Sequence, residues 1–581
     1  MATGRKTGEK GTADTPGGSH LPLTLVQVAG YLLPGVELKQ FLLWPPDLFA
    51  LTSMSLDVSG AYIAAVADRL DLDPERGFLS RAWREQVEQA AAQWRSNLEV
   101  AVVSQFLLHR RQARPLGRTV AGRMKQFVPD LVEQLWKALR KVVTPLDQTK
   151  GGHTESISKL NHEPKLAKAR EAVLTLHAIA DSACAGWGVA VAADSEDDDT
   201  PDPAGHIVRQ HLRDFHTLSS IHADRGVVLP KLHTSQVGMT LRSLSLHLSF
   251  HRTSMPIKLV EHEVETRAPM NVLLLPWPLE TRALDFKKVR RDPVVREGFG
   301  YFSYEPRSME MLAKLDEVLQ NARRECGGVD MVVFPECAIA ETSLHEFEKV
   351  MQAHDVGCYI AGVHKPPGED GQLGENLAVV KTGGAGRAAF ANSLCRQHKH
   401  HRWRLDASQI VAYQLGGILD LDEKWWEAIR IHERSVSFVS LGPDITLCPL
   451  ICEDLARQEP VSEILRSFGP SLVVSLLMDG PQYRSRWSAQ YASVLADDPG
   501  SSVLTLTSLG MVKRWRSPFL ERRPIVALWK DSYGPAVEIP LEDDKYGVLL
   551  TLSARRNSEY SADGRRADGR VTITLGGWQS V

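Results

Sequence analysis

The chain has 581 residues, of which 43% are apolar and 24% charged. These are ordinary globular values, so the chain can bury a sizeable core and is not disordered as a whole. With 68 Lys plus Arg against 71 Asp plus Glu the formal charge is −3, which removes the electrostatic argument for a dedicated nucleic-acid or membrane-surface protein.

Residues 1–20 are rich in Gly, Thr and Lys and read as a disordered tail. The apolar stretch Leu21 to Val36 imitates a signal peptide but starts too far from the N-terminus, is broken by Gln27 and Gly30, and lacks a small-x-small cleavage site. No uncharged run reaches the roughly 20 apolar residues needed to span a bilayer. The seven cysteines are odd in number and form no CxxC, which argues against a disulfide framework or zinc knuckle and for a reducing compartment. The expectation is a soluble cytoplasmic protein.

From Trp83 the apolar positions Val87, Ala90, Trp94, Leu98 and Val102 recur at three- and four-residue intervals, one face of an amphipathic helix. A second helix carries Leu131, Leu135, Trp136, Leu139 and Val142, and a third runs from about Ala167 to Ala185, ended by Gly186 and Gly188. The acidic stretch Asp194 to Gly205 cannot bury apolar surface and reads as a solvated loop. Leu244 to Phe250 alternates like a strand but sits among helical patterns. These features predict a mainly helical region over 21–265.

Near Pro269 the texture changes. Strand-like runs at Val272–Leu275, Met331–Phe334, Cys358–Val363, Leu377–Lys381, Ile445–Ile451, Leu472–Leu477 and Val503–Thr507 alternate with helical stretches at Met309–Arg324, Ser343–Ala353, Val461–Phe468 and Tyr491–Ala496. That alternation predicts an α/β domain over 268–581, with the boundary in the charged, Pro-ended stretch Glu261 to Pro269.

Strand ends in this half carry reactive groups: Glu336 after Met331–Phe334 and Pro335, Cys452 after Ile445–Ile451, and Lys399 between them. Catalytic groups favour the carboxyl ends of strands, where a rigid sheet meets an exposed loop. Taken singly, a Cys after an apolar strand is usually a packing thiol, a Glu after Pro usually caps a helix or faces water, and a lone Lys is usually solvated. Together a thiol, a carboxylate and an ammonium make a set for acyl transfer: the carboxylate takes the thiol proton, the sulfur attacks a carbonyl, and the ammonium holds the oxyanion.

The motifs around these residues resemble those of the nitrilase, or carbon–nitrogen hydrolase, superfamily. The chain has VVFPE over Val332–Glu336, KHHRW over Lys399–Trp403 and ICED over Ile451–Asp454, in the order that family carries its Glu, Lys and Cys. Downstream, SLVVSLLMDG, LTLTSLG and IVALWKDSYGPAVEIPL are similar to its later strands and closing hairpin. The likeness covers about 268–560 and does not reach the first half. It implies a four-layer α-β-β-α sandwich that hydrolyses an amide, carbamoyl or nitrile-like bond without a cofactor or metal. Glu336 would be the general base and acid, Cys452 the nucleophile, and Lys399 with the backbone N–H of Glu453 the oxyanion hole. Many members carry a second carboxylate about eight residues past the Lys, for which Asp406 is the nearest candidate here. Homodimers are common in the family, so self-association is expected, with a small amide-like substrate and no membrane or nucleic-acid partner. A Lys beside the thiol is expected to favour the thiolate.

Other features have plainer readings. His398, His400 and His401 flank Lys399, but no Cys or carboxylate stands at ligand spacing, so packing or substrate contact is expected. FGYFSY, Phe299–Tyr304, suits an aromatic lid or a partner-packing patch, and Lys513, Arg514 and Arg516 suit either an anionic substrate or a plain surface loop. The alternative class is a non-catalytic or partner-activated effector with this fold, as in a bacterial defence system.

Overall fold

The computed structural model describes residues 24–65, 73–112, 116–143, 157–188, 217–234, 238–253, 255–261, 268–289, 299–383, 390, 395–442, 445–517 and 523–581. The tail at 1–20, the acidic stretch at 194–205 and most of the expected boundary at 262–267 lie outside them. Helices dominate the first part. Thr24 starts the first, Leu25–Leu32, with a capping box closed by Gln27, and Ser80 caps Arg81–Asn97 by accepting from the Trp83 N–H. The single helix predicted through Val102 is two, Arg81–Asn97 and Val100–Arg111, because the chain turns extended at Leu98 and Glu99. Ala167–Ser182 is the hub, packed against Pro45–Ser59, Arg81–Asn97 and Asp130–Val143. Gly186 and Gly188, at φ 76° and 78°, end the turns that follow it.

Not all of this part is helical. The ambiguous stretch resolves into a short 3-10 turn, Leu241–Leu244, and a strand, Leu248–His251, paired antiparallel with Val227–Pro230. A further strand, Ile257–Glu261, pairs parallel with Val436–Ser440. The residues before 268 therefore supply an edge strand to a sheet built from the second half.

Two large sheets organise that half. The first has the order Cys395–His398, Glu375–Thr382, Cys358–Lys365, Met331–Val333, Met270–Leu274, Val548–Tyr560, Arg566–Ser580. The second runs Val537–Pro540, Ile525–Lys530, Ser502–Thr507, Leu472–Leu477, Thr446–Ile451, Val436–Ser440, Ile257–Glu261. One apolar cluster joins side chains of both sheets, Val272, Ile360 and Ala378 from the first with Leu447, Val474 and Leu506 from the second. Alternate residues of the first sheet, Leu273, Tyr359 and Leu377, pack with Leu315, Leu319 and Phe347 of the helices Ser308–Cys326 and Leu344–Ala353. Alternate residues of the second, Leu450 and Val473, pack with Ile464 and Ala492 of Glu463–Phe468 and Trp487–Asp497. This is what strand alternation requires when both faces of a sheet are covered. Phe299–Tyr304 is the middle of a small sheet with Lys424–Glu427 and Phe286–Val289, and its last five residues are buried. It is thus core packing rather than the lid or patch that its aromatics suggest. All seven cysteines are free, and no described helix is long and apolar enough to cross a membrane.

The two parts meet at a buried ion pair. Asp181, on the hub helix, accepts from the N–H groups of Leu246 (2.8 Å), His247 (2.9 Å) and Leu248 (2.8 Å), and from Arg565 Nη1 (2.8 Å). Arg565 sits at the turn of the long hairpin Val548–Tyr560/Arg566–Ser580 and also binds Asp563 and the Leu244 carbonyl. Burial works against the Asp181 carboxylate, but Arg565, His247 and the backbone donors outweigh it and hold its pKa down to about 2 from 3.8. A depressed carboxyl stabilises the fold above its unfolded pKa, and that stability disappears as pH falls from about 3.8 through about 2. Arg565→Ala leaves Asp181 a buried charge without its ion-pair partner, and we expect it to lower unfolding stability by roughly 3–5 kcal/mol in denaturant titrations at neutral pH. A loss below about 1 kcal/mol contradicts this account of the joint.

Candidate active site

Each predicted reactive residue stands just beyond a strand. Glu336 lies three residues past Met331–Val333, beneath Gly362, where a Cβ would come within 2.1 Å of the Pro335 carbonyl oxygen. Only glycine lets the neighbouring strand approach this closely. Lys399 directly follows Cys395–His398, and its N–H donates to the Asn376 carbonyl (3.0 Å). Cys452 directly follows Thr446–Ile451 and has φ 48°, the left-handed region, before the chain enters a short 3-10 turn at Cys452–Ala456. A non-glycine residue held there marks a position that the surroundings over-determine.

The ammonium of Lys399 donates to two carboxylates, Glu336 Oε1 at 2.7 Å and Glu427 Oε2 at 2.6 Å. Asn376 Nδ2 bridges the same pair, at 2.8 Å from Glu336 Oε1 and 2.7 Å from Glu427 Oε1, and the Trp403 N–H caps Glu427 Oε2 (3.1 Å). The side chains of Lys399 and Glu336 are each 1% exposed. The charges of Glu336 and Lys399 both act on the Cys452 thiol. Among the described residues, Glu336 Oε2 is buried without a hydrogen-bond partner.

Asp406 does not supply the second carboxylate. Its side chain accepts from the Gln409 N–H (3.0 Å) and Ser408 Oγ (2.6 Å) as the N-cap of the helix Ala407–Ala412. Glu427, at the end of Lys424–Glu427, stands in that place, and the sequence reading missed it. The KHHRW stretch is tied to the cysteine turn through Asp454, which accepts from the His400 N–H (3.2 Å) and pairs with His401 Nδ1 (3.1 Å). His400 Nε2 also meets the Ser435 carbonyl (2.9 Å). Arg514 is bound to the carbonyls of Tyr413 (3.0 Å) and Gln414 (2.6 Å), and Arg516 Nη1 to that of Lys513 (2.8 Å), so the first ties its segment to the end of the helix Ala407–Ala412 and the second braces its own turn.

Cys452 and Glu453 open onto a cavity of about 240 Å³, also lined by Trp403, Tyr413, Trp487 and Trp515. At its wall Asp479 is neutralised by Arg486 Nη2 (2.6 Å) and accepts from Trp487 Nε1 (3.0 Å).

The charge states separate. Burial pushes Glu336 up, and Glu427 pushes it further, against the pull of Lys399. Glu427 is buried too, but Lys399, Asn376 and the Trp403 N–H hold it below the ordinary carboxylate value. Burial opposes the Lys399 charge, yet the two carboxylates overcome it and raise its pKa well above normal. Burial and then Glu336 raise the Cys452 thiol well above its ordinary value, outweighing Lys399. The thiolate expected from a neighbouring lysine is therefore not the resting form: desolvation and a nearby carboxylate exceed one cation already shared between two anions.

No family model matches the chain, and no curated protein matches it. Solved structures do. Nit3 of Saccharomyces cerevisiae, a member of branch 10 of the nitrilase superfamily, is similar over 47% of this chain and 86% of its own, at 12% identity and a TM-score of 0.30. The CN-hydrolase superfamily protein XC1258 of Xanthomonas campestris covers 48% of this chain and 89% of its own, at 13% identity and a TM-score of 0.29. A carbon–nitrogen hydrolase from Helicobacter pylori covers 51% of this chain and 89% of its own, at 11% identity and a TM-score of 0.25. About half of this chain is thus similar to nitrilase-superfamily structures, and the likeness concerns the fold alone.

A thiol held neutral at rest alkylates slowly at neutral pH. Peptide-resolved mass spectrometry should find the Cys452 iodoacetamide rate still climbing beyond pH 9, the ordinary value for a thiol here. A rate that levels off below pH 8 contradicts the burial argument.

Proposed function

We propose that the chain is a hydrolase of a non-peptide carbon–nitrogen bond, an amide, carbamoyl or nitrile-like group, working through a thioester on Cys452. Residues 268–581, with the edge strand Ile257–Glu261, would form the α-β-β-α catalytic sandwich, and the mainly helical region before it would regulate the site, present substrate or recruit a partner. The observation that carries the reading is the unequal use of Glu336: one oxygen is fixed by Lys399 and Asn376, and the other is buried, unpartnered and able to take a proton. A carboxylate with a raised pKa beside one with a lowered pKa is the arrangement that divides proton transfer from electrostatic support.

In this reading Sγ attacks the amide carbon while its proton passes to Glu336 Oε2, so the thiol never has to ionise alone. The carbonyl electron pair moves onto oxygen. That oxyanion is met by the third N–H of Lys399, whose other two are held by the carboxylates, and by the backbone N–H of Glu453. The intermediate collapses, the C–N bond breaks, and the amine leaves with the proton from Glu336. Water then gives a proton to Glu336 and attacks the thioester, and the departing sulfur recovers that proton. Glu427 stays ionised throughout and fixes the position of Lys399. The aromatic cavity would hold the acyl group next to Cys452.

Ammonia release from a panel of small amides tests the proposal. Cys452→Ala should abolish turnover, and Glu336→Gln and Lys399→Met should each reduce it by about 10²–10³ or more. The acid limb of kcat/KM should lie above pH 4.5, because Glu336 must be ionised to act and its pKa is raised. A thiol-directed probe that labels wild type, Cys452→Ala and Glu336→Gln alike would favour the non-catalytic, partner-activated module instead.

A further inference from the structure

The strands that present Asn376 and Lys399 to the space between the sheets carry a different set of residues on the opposite face. Neighbouring residues on a strand point to opposite sides. Leu377 pairs with His398 across Glu375–Thr382 and Cys395–His398, so Glu375 and His398 share the outer face while Asn376 and Lys399 share the inner one. A third residue arrives from another segment. The chain leaving Lys424–Glu427 is fastened to this edge, with the Arg430 N–H donating to the Gly374 carbonyl (2.8 Å) and Ile429 bridged to Gly374. That fastening lays His432 on His398, ring centroids 3.9 Å apart.

We propose that Glu375, His398 and His432 form a binding site for a borderline divalent transition-metal ion, with Zn²⁺ the best-suited occupant. One ligand atom from each residue lies within 4.8 Å of the other two, so small rotations bring all three onto one ion. His398 Nδ1 and His432 Nε2 are buried, and among the described residues neither has a hydrogen-bond partner. Buried imidazole nitrogens left unpaired carry a desolvation cost that a metal bond removes. The nearest charged contact of His432 Nε2 is Glu375 Oε2 at 3.9 Å, beyond hydrogen-bonding range but close enough to share an ion. Glu375 is 24% exposed and His432 26%, so an ion can reach the site and a water can fill a fourth position. Two imidazoles and one carboxylate suit zinc better than calcium or magnesium, which prefer all-oxygen shells. Lys365 Nζ lies 3.9 Å from the other Glu375 oxygen, Oε1, which leaves Oε2 facing His432.

The proposed ion does not take part in the proposed hydrolysis: its three ligands share no residue with the Glu336–Lys399–Glu427 cluster, and Glu375 and His398 lie on the opposite face of the strands that carry Asn376 and lead into Lys399. A zinc titration of the metal-stripped full chain, followed by calorimetry and by the visible spectrum of a Co²⁺ substitute, tests it. We expect one ion per chain at this site and a Co²⁺ spectrum carrying imidazole ligation. His432→Ala and His398→Ala should each weaken binding more than about 100-fold, because even groups that only orient a metal ligand are worth about 10–100-fold. Glu336→Gln, which alters the fully buried trio Glu336, Cys337 and Glu427, the other cluster among the described residues able to hold an ion, should leave the stoichiometry and affinity unchanged. Circular dichroism of His432→Ala, whose residue lies in a loop, distinguishes lost ligation from lost fold. Absence of stoichiometric binding to the folded wild type, or binding that survives both histidine substitutions, overturns the assignment, as does binding abolished by Glu336→Gln.

Discussion

Everything around the reactive thiol depends on one ammonium held between two buried carboxylates. Lys399, Glu336 and Glu427 sit almost wholly out of water, where isolated charges are very costly, so no member is tolerable without the others. Three charged groups with two negative ends also cannot be satisfied equally. Asn376 and the Trp403 N–H add their donors mainly around Glu427, which becomes the settled anion, and Glu336 is left with a free oxygen and a raised pKa. The asymmetry arises from hydrogen-bond counting rather than from any difference in residue type. It leaves one glutamate the lower pKa and the other the higher, the division that the proposed proton transfer uses.

Burial first and Glu336 second keep the proton on Cys452, and a lysine already shared by two anions does not offset them. In the proposed reaction, proton loss would then accompany bond formation, and the position of the free Glu336 oxygen would matter more than the thiol's own acidity. The positive φ at Cys452 serves this geometry, because it turns the chain sharply at the strand end and leaves the next N–H at the start of a short helical turn.

Much of this was written locally in the sequence. Glu336, Lys399 and Cys452 stand at strand ends that apolar runs announce, and the structure places them there. Glu427 was not legible, since KWWE belongs to a short strand of the small sheet and nothing nearby marks its carboxylate as buried. Asp406 was misread although its role was available: Asp406 with Gln409 three residues on is a capping box, and both reciprocal bonds form. Ile257–Glu261 was lost among helices because an edge strand of five residues carries too short a pattern to declare a period. The break at Leu98 was missed for the opposite reason: apolar spacing continues across it while the backbone does not.

Spacing rules fail for a further reason at His398, where ligands were sought among its immediate neighbours. In a sheet the residues nearest in sequence face away from one another, and the true neighbours come from the adjoining strand and the loop laid over it. Glu375 and His432 reach His398 in that way. The edge of the first sheet is therefore shared by two clusters set back to back, one on each side of a single layer of backbone. Asn376 and Lys399 cannot shift without carrying Glu375 and His398 with them, because the Lys399 N–H is bonded to the Asn376 carbonyl at the same point of the ladder. An ion bound on the outer face would restrain both strands and the chain leaving Glu427, and with them three of the groups that fix the ammonium and the carboxylates on the inner face.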